Sequence, residues 1–167
     1  MAAEYIMKRM WLLLILVGLT ATANAQVPAA TIPVFSFAKQ DKSLFTNKDL
    51  ASGKKLFFVF FDSECDHCRH AITYLNSHQP ELNPAAVYLL TLDAPEKTKE
   101  FLKKHGPNLL NKKNILILRD YQDQFINRFK PRKYPSLFLY SPQQKLILYD
   151  DDEKQLPVFL KNIKNKS

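Results

Sequence analysis

Glycine is scarce in this chain, at three residues of 167. A loop that cradles phosphates with successive glycine N–H groups is therefore excluded as its organising site. Cysteine is scarcer, at two, and both fall in one tetrapeptide, Cys65-Asp66-His67-Cys68. A bridge between them cannot tie distant segments together. No internal repeat and no low-complexity stretch occurs, and no segment after residue 25 is long and apolar enough to span a membrane.

What is present fits one domain with its own core. The length suffices for it. Apolar residues make up 46% and charged residues 24%, which excludes a disordered chain. The net charge of +8 favours acidic partners or anionic surfaces and says nothing of fold. Lys97, Lys99, Lys103 and Lys104 read as one solvated basic face.

Residues 1–25 read as a signal peptide. Lys8 and Arg9 form a positive start, Trp11 to Leu19 an apolar run, and Ala23-Asn24-Ala25 a cleavage signal before Gln26. Met7 is an alternative start. The apolar stretch is about 15 residues, short of the roughly 20 that a membrane anchor needs. No cysteine stands at the cleavage site to carry a lipid. The mature chain keeps a charge of +7, because residues 1–25 hold two basic residues and one acidic. Export places the cysteine pair where disulfides form and persist.

Residues 26–33 read as a linker. Val34 to Phe37 reads as an edge strand and Ser43 to Thr46 as a short extended piece, followed by a turn capped by Asn47. Leu56 to Phe61 is six apolar residues without a break, the mark of a strand covered on both faces. Beyond it Cys68, Ala71, Ile72 and Leu75 recur at helical spacing. Val87 to Leu92 and Ile115 to Leu118 read as strands, and Pro95 to His105 as a helix. A further helix holding Phe125, Ile126 and Phe129 is capped by Asp120. Ser136 to Tyr140 and Lys145 to Tyr149 form a hairpin. A closing helix spans Glu153 to Ile163, with a start near Gln155 explaining Pro157. Strands alternating with helices give a sheet packed on both faces.

The chemistry sits at the junction of strand and helix. A thiolate is the attacking species in disulfide exchange. Cys65 opens a helix, whose first turn offers unpaired N–H groups and a partial positive charge. Cys68 lies one turn on, within reach for a disulfide. Cys65 is expected to be the exposed nucleophile and Cys68, on the core-facing side, the resolving thiol. A protonated His67 would add positive charge near Cys65, and Asp66 would act the other way.

Competing readings exist. A structural bridge over four residues removes little chain entropy, about 2 kcal/mol. Cys65, His67 and Cys68, with His70, could ligate copper or zinc, although a zinc site usually draws on a second cluster. Covalent haem needs histidine after the second cysteine, and Arg69 stands there. A peroxidase would need an arginine beside its cysteine, and Arg69 is the nearest in sequence. His78 and His105 read as surface or helix-end residues.

The order strand–CxxC–helix, with Tyr134-Pro135 about 67 residues later before a hairpin, resembles the thioredoxin superfamily. It is similar to the exported thioredoxin-like (redoxin/TlpA-type) thiol–disulfide oxidoreductases over roughly Val34 to Ile163. The resemblance implies an α/β, thioredoxin-like fold over residues 34–167: a central mixed sheet flanked by helices, with a short N-terminal strand extension. It implies that Pro135 is cis and faces the cysteine pair, and that Tyr134 contacts an extended substrate. His67 matches the histidine of protein disulfide isomerases. The chain departs from the family at Glu64, where tryptophan is common. It departs again at Val59 and Leu89, where a buried acid and its lysine neighbour are common.

The expected activity is disulfide exchange with exported proteins in the periplasm or another extracytoplasmic space. A membrane redox donor or acceptor would reset the pair. No cofactor, metal or nucleic acid is called for. A non-catalytic module binding copper, zinc or a peptide is the alternative.

Overall fold

The computed structural model describes residues 27–165, so the expected signal peptide and its cleavage site before Gln26 lie outside the described residues. Seven strands form one sheet: β1 (Ser36–Lys39), β2 (Leu44–Thr46), β3 (Leu56–Phe60), β4 (Ala86–Thr91), β5 (Ile115–Arg119), β6 (Ser136–Tyr140) and β7 (Leu146–Asp150). Four α-helices accompany them: α1 (Asp66–Ser77), α2 (Pro95–His105), α3 (Gln124–Phe129) and α4 (Leu156–Lys164). The spatial order is β2-β1-β5-β4-β3-β6-β7. Strands β3, β4 and β5 run parallel, and β6 and β7 add antiparallel partners on one side, as β1 and β2 do on the other. This is the expected mixed sheet.

The unbroken apolar run of β3 has its physical reason in the two cores. Phe57, Val59 and Phe61 face one, with α1 and Leu156, Phe159 and Leu160 of α4. Leu56, Phe58 and Phe60 face the other, with Phe35, Phe37, Phe125 and Phe129. A strand buried on both faces cannot alternate polar with apolar residues. The second core is aromatic to an unusual degree. Phe58 alone lies within 4.7–6.2 Å, centroid to centroid, of Phe35, Tyr88, Phe125, Phe129 and Tyr140.

Several local expectations are corrected. β1 begins at Ser36 rather than Val34, whose side chain is exposed. It is also not an edge strand, because β2 folds back on one side and β5 takes the other. Asn47 does not cap the turn that follows β2. Its side chain instead receives the Phe35 N–H and donates to the Pro33 carbonyl, while Asp49 accepts from the Thr46 N–H and hydroxyl. Asp120 does satisfy the first turn of α3, by accepting from the Phe125 N–H at 2.7 Å, although Asp123 is the residue that flanks the helix. Residues 153–155 form a separate 3-10 turn, so α4 starts at Leu156 with Pro157 in its first turn, where a missing N–H costs nothing.

The stretch 27–33 read as a linker is held against the sheet. The Ala29 N–H donates to the Phe129 carbonyl, the Leu146 N–H to the Ala30 carbonyl, and the Ile32 N–H to the Gln144 carbonyl. The Tyr140 hydroxyl donates to the Ala29 carbonyl, and Ile32 is buried.

Because Phe58 is the hub of the aromatic core, Phe58→Ala should destabilise the domain by about 3–5 kcal/mol. Denaturant unfolding followed by far-UV circular dichroism measures this. A loss below about 1 kcal/mol would mean that the core repacks around the void.

Candidate active site at the start of helix α1

β3 delivers the chain to the site. After Phe61 the backbone turns through Asp62, Ser63 and Glu64, with the Asp62 carboxylate accepting from the Glu64 N–H and the Asp62 carbonyl from the Cys65 N–H. Cys65 is the residue that flanks α1 on its N-terminal side, in extended conformation. The Arg69 N–H donates to its carbonyl, and the Cys68 N–H donates to its sulfur at 3.4 Å. Cys65 Sγ thus occupies the place where a serine or aspartate oxygen usually satisfies an orphan helix N–H.

The two thiols differ in environment as the spacing predicts. Both are free, with Cys65 half-buried and Cys68 fully buried. Cys68 packs with Ala71, Ile72 and Leu75 on the core side of α1 and accepts the Asp62 N–H at 3.4 Å. Burial pushes the Cys68 thiol far up from its ordinary value, against the opposing pull of that N–H, and the neighbouring Cys65 adds to the rise. Beneath it, Val59 and Leu89 are register partners on β3 and β4, both without exposure. Both belong to the same apolar cluster as Cys68, so that side of the site is hydrocarbon.

The Tyr134–Pro135 peptide is cis, as the resemblance implies. The Cys65 thiol donates to the Tyr134 carbonyl at 3.8 Å. The half-buried Tyr134 ring packs on Phe60, with centroids 4.7 Å apart. Burial pushes its phenol up to about 12, with the Asp62 carboxylate adding to the effect.

The remaining sequence candidates point elsewhere. The His67 ring is exposed and its Nδ1 lies 2.9 Å from Glu153 Oε1. Arg69 pairs with Asp66 at 3.0 Å on the helix surface. His70 is exposed. His78 receives its contacts from its own helix, stacking on Tyr74 with Nδ1 2.8 Å from the Tyr74 carbonyl. His105 ends α2 and packs on Phe101. Among the described residues, no three His, Cys, Asp or Glu side chains gather as a metal-ligand set.

Three residues at the site escaped the sequence reading. Glu153 holds His67. Asp93, just after β4, accepts the Ser63 N–H at 2.9 Å and so fixes the approach to Cys65. Lys97 bridges Asp93 at 3.2 Å and Glu64 at 2.8 Å. Apart from the Asp93–Lys97 pair, four residues apart, each partner lies 30 or more residues away in sequence, and a local pattern carries no trace of such a contact.

Residues 26–149 match the AhpC/TSA family. No curated protein matches the chain. Solved structures share its fold. A thiol-disulfide oxidoreductase from Bacteroides fragilis superposes with a TM-score of 0.64 at 20% identity, covering 79% of this chain and 98% of its own. A putative thiol:disulfide interchange protein DsbE from Chlorobium tepidum gives 0.62 at 18%, covering 81% and 99%. A secreted Mycobacterium tuberculosis disulfide oxidoreductase gives 0.62 at 15%, covering 77% and 95%.

Two outcomes follow from the geometry. In the folded protein iodoacetamide should alkylate Cys65 and spare Cys68 until denaturant is added, as read by peptide mass spectrometry. Equal labelling of both would contradict the buried position of Cys68. The second outcome concerns Asp93. Burial alone would raise its carboxyl, but the Ser63 and Lys97 contacts outweigh that and hold it below its ordinary value. The stability it contributes is present above about pH 4, the unfolded carboxyl range, and is lost as pH falls through the lower folded value. Asp93→Asn should therefore be less stable than the parent at pH 7, and the gap should close toward pH 2.

The cysteine pair at a helix start, the cis proline beside it and the mixed sheet that carries both agree with the family match: the chain belongs to the AhpC/TSA (redoxin) family, on the thioredoxin-like fold.

Proposed function

We propose that this protein is an extracytoplasmic thiol–disulfide oxidoreductase that exchanges disulfides with exported proteins through Cys65 and Cys68. One observation carries the reading. The half-buried Cys65 sulfur sits between the first turn of α1 and the carbonyl before Pro135, with a fully buried second thiol one helical turn away. A substrate can reach the first sulfur and cannot reach the second.

In the reducing direction, the Cys65 thiolate attacks one sulfur of a substrate disulfide. A Cys65–substrate bond forms, the substrate S–S bond breaks, and the leaving thiolate takes a proton. Cys68 then loses its proton and attacks Cys65 Sγ. The mixed disulfide breaks, the second substrate thiol leaves, and the enzyme holds the Cys65–Cys68 disulfide. A donor at the membrane restores the dithiol, and the oxidising direction runs the same steps backward. The exposed edge of Tyr134 and the cis Pro135 form the wall along which an extended substrate segment would lie. His67 tunes the charge around Cys65.

The extracytoplasmic placement rests on the signal-like residues 1–25. It agrees with two observations: no helix among the described residues is long and apolar enough to cross a membrane, and a relative of the same fold is described as secreted.

Cys65→Ser should bring the reduction of a protein disulfide such as that of insulin to the uncatalysed rate. Cys68→Ser should keep the first attack and accumulate mixed disulfides with client proteins, visible as bands that vanish on reduction. Full activity in Cys65→Ser would refute the assigned nucleophile. Peroxide consumption that survives in Cys68→Ser and exceeds disulfide exchange would favour a peroxidase.

A further inference from the structure

We propose that Glu153 sets the redox poise of the Cys65–Cys68 pair by offsetting the charge of His67, an inference that rests on the exchange reading above. The Glu153 carboxylate is largely covered, with 13% of its side chain exposed, and its contact is His67 Nδ1 at 2.9 Å. A carboxylate drawn out of water needs a charged or hydrogen-bonding partner. His67, with 68% of its side chain exposed, stands in the first turn of α1, where the helix's own field opposes a cation. The two residues answer each other across 86 positions of sequence.

The turn that carries Glu153 is fixed. The Asp150 carboxylate accepts from the Asp151 and Asp152 N–H groups, and Asp152 from the Lys154 N–H at 3.0 Å. Glu153, His67 and Tyr134 line one depression, and the Tyr134 carbonyl is the acceptor beside Cys65 Sγ. The Glu153 charge is therefore held in a depression that reaches Tyr134, the residue whose carbonyl accepts from the Cys65 thiol.

Several of the other charges near this depression are paired. Asp151 is neutralised by Arg132 at 2.8 Å and Lys133 at 3.6 Å. On α1, Asp66 and Arg69 pair with each other. Lys154 follows Glu153 on the same turn; its backbone N–H donates to the Asp152 carboxylate, and its ammonium has no ion-pair partner among the described residues. Across the site, Glu64 and Asp93 share Lys97.

The sign follows. Positive charge near Cys65 stabilises its thiolate, hence the reduced pair, and makes the disulfide the stronger oxidant. Glu153 opposes this whether His67 is charged or neutral. Removing the carboxylate charge shifts the poise toward oxidation in either case, and removing His67 shifts it toward reduction.

The test equilibrates wild type and variants with reduced and oxidised glutathione. Two glutathione thiols give up two electrons and two protons and form one disulfide. The Cys65–Cys68 bond takes them and breaks. For Glu153→Gln, the equilibrium constant for that reaction should rise about threefold to tenfold, tenfold being about 30 mV. Glu153→Asp, which keeps the charge, should stay within about twofold of wild type. His67→Ala should lower the constant, the opposite direction to Glu153→Gln. An unchanged or lowered constant in Glu153→Gln, or an equal shift in Glu153→Asp, would overturn the assignment while leaving the exchange reading intact. A wild-type protein that never equilibrates with glutathione would remove both.

Discussion

The site depends on one backbone contact: the Cys68 N–H donating to Cys65 Sγ at the first turn of α1. That bond exists because β3 ends where it does. β3 is buried on both faces, so its position in the sheet is fixed by two cores at once. The chain leaving it has four residues, Phe61 to Glu64, in which to turn and start a helix. The sulfur of Cys65 then takes the capping place, and 3.6-residue periodicity puts Cys68 on the inward face. The unlike exposure of the two thiols follows from that one geometry, and with it the division of labour proposed for them.

The second wall of the site has the same origin. β6 pairs antiparallel with β3, and Phe60 lies opposite Ser136. The residue just after Pro135 is thus tied to the residue five before Cys65. The end of β3 and the start of β6 reach the same edge of the sheet, and the Tyr134 carbonyl arrives beside Cys65 although 69 residues separate them. The packing of Tyr134 on Phe60 holds this corner from the aromatic side. Sheet register, rather than any contact between the cysteine loop and the proline loop alone, brings the two together.

This also explains what could be read in the sequence. The run Leu56 to Phe61 and the spacing Cys68–Ala71–Ile72–Leu75 are periodic signals over consecutive residues, and the structure matches them. So does Pro95 to His105, bounded by proline and Gly106. The misreadings share a different cause. Val34 and Phe37 suggested alternation, yet which residues enter β1 depends on pairing with β5, about 80 residues on. Asn47 has the chemistry of a cap, but the passing strand at Pro33 and Phe35 competes for its side chain and wins. The linker reading of residues 27–33 failed for the same reason, since its hydrogen bonds run to α3, to β6 and β7 and to the turn between them. Tertiary partners override local preference where a segment has few apolar residues of its own.

The apolar floor beneath Cys68 gives the charges at the rim their importance. Val59 and Leu89, in the same apolar cluster as Cys68, carry no ionisable group. The ionisable groups around the pair are arranged on the solvent side. Asp62 stands at the loop. Glu64, Lys97 and Asp93 lie on one flank, and His67 and Glu153 on the other. Rim charges act through a more polarisable medium than a buried acid would, so each exerts a smaller pull and one that salt weakens. They are also free of the packing constraints that govern the core. A change at Glu153 or His67 alters no residue of either hydrophobic cluster, whereas a charge at Val59 would need a partner inside closely packed hydrocarbon. On the proposed reading, the redox character of the cysteine pair can therefore change without rebuilding the fold that positions it.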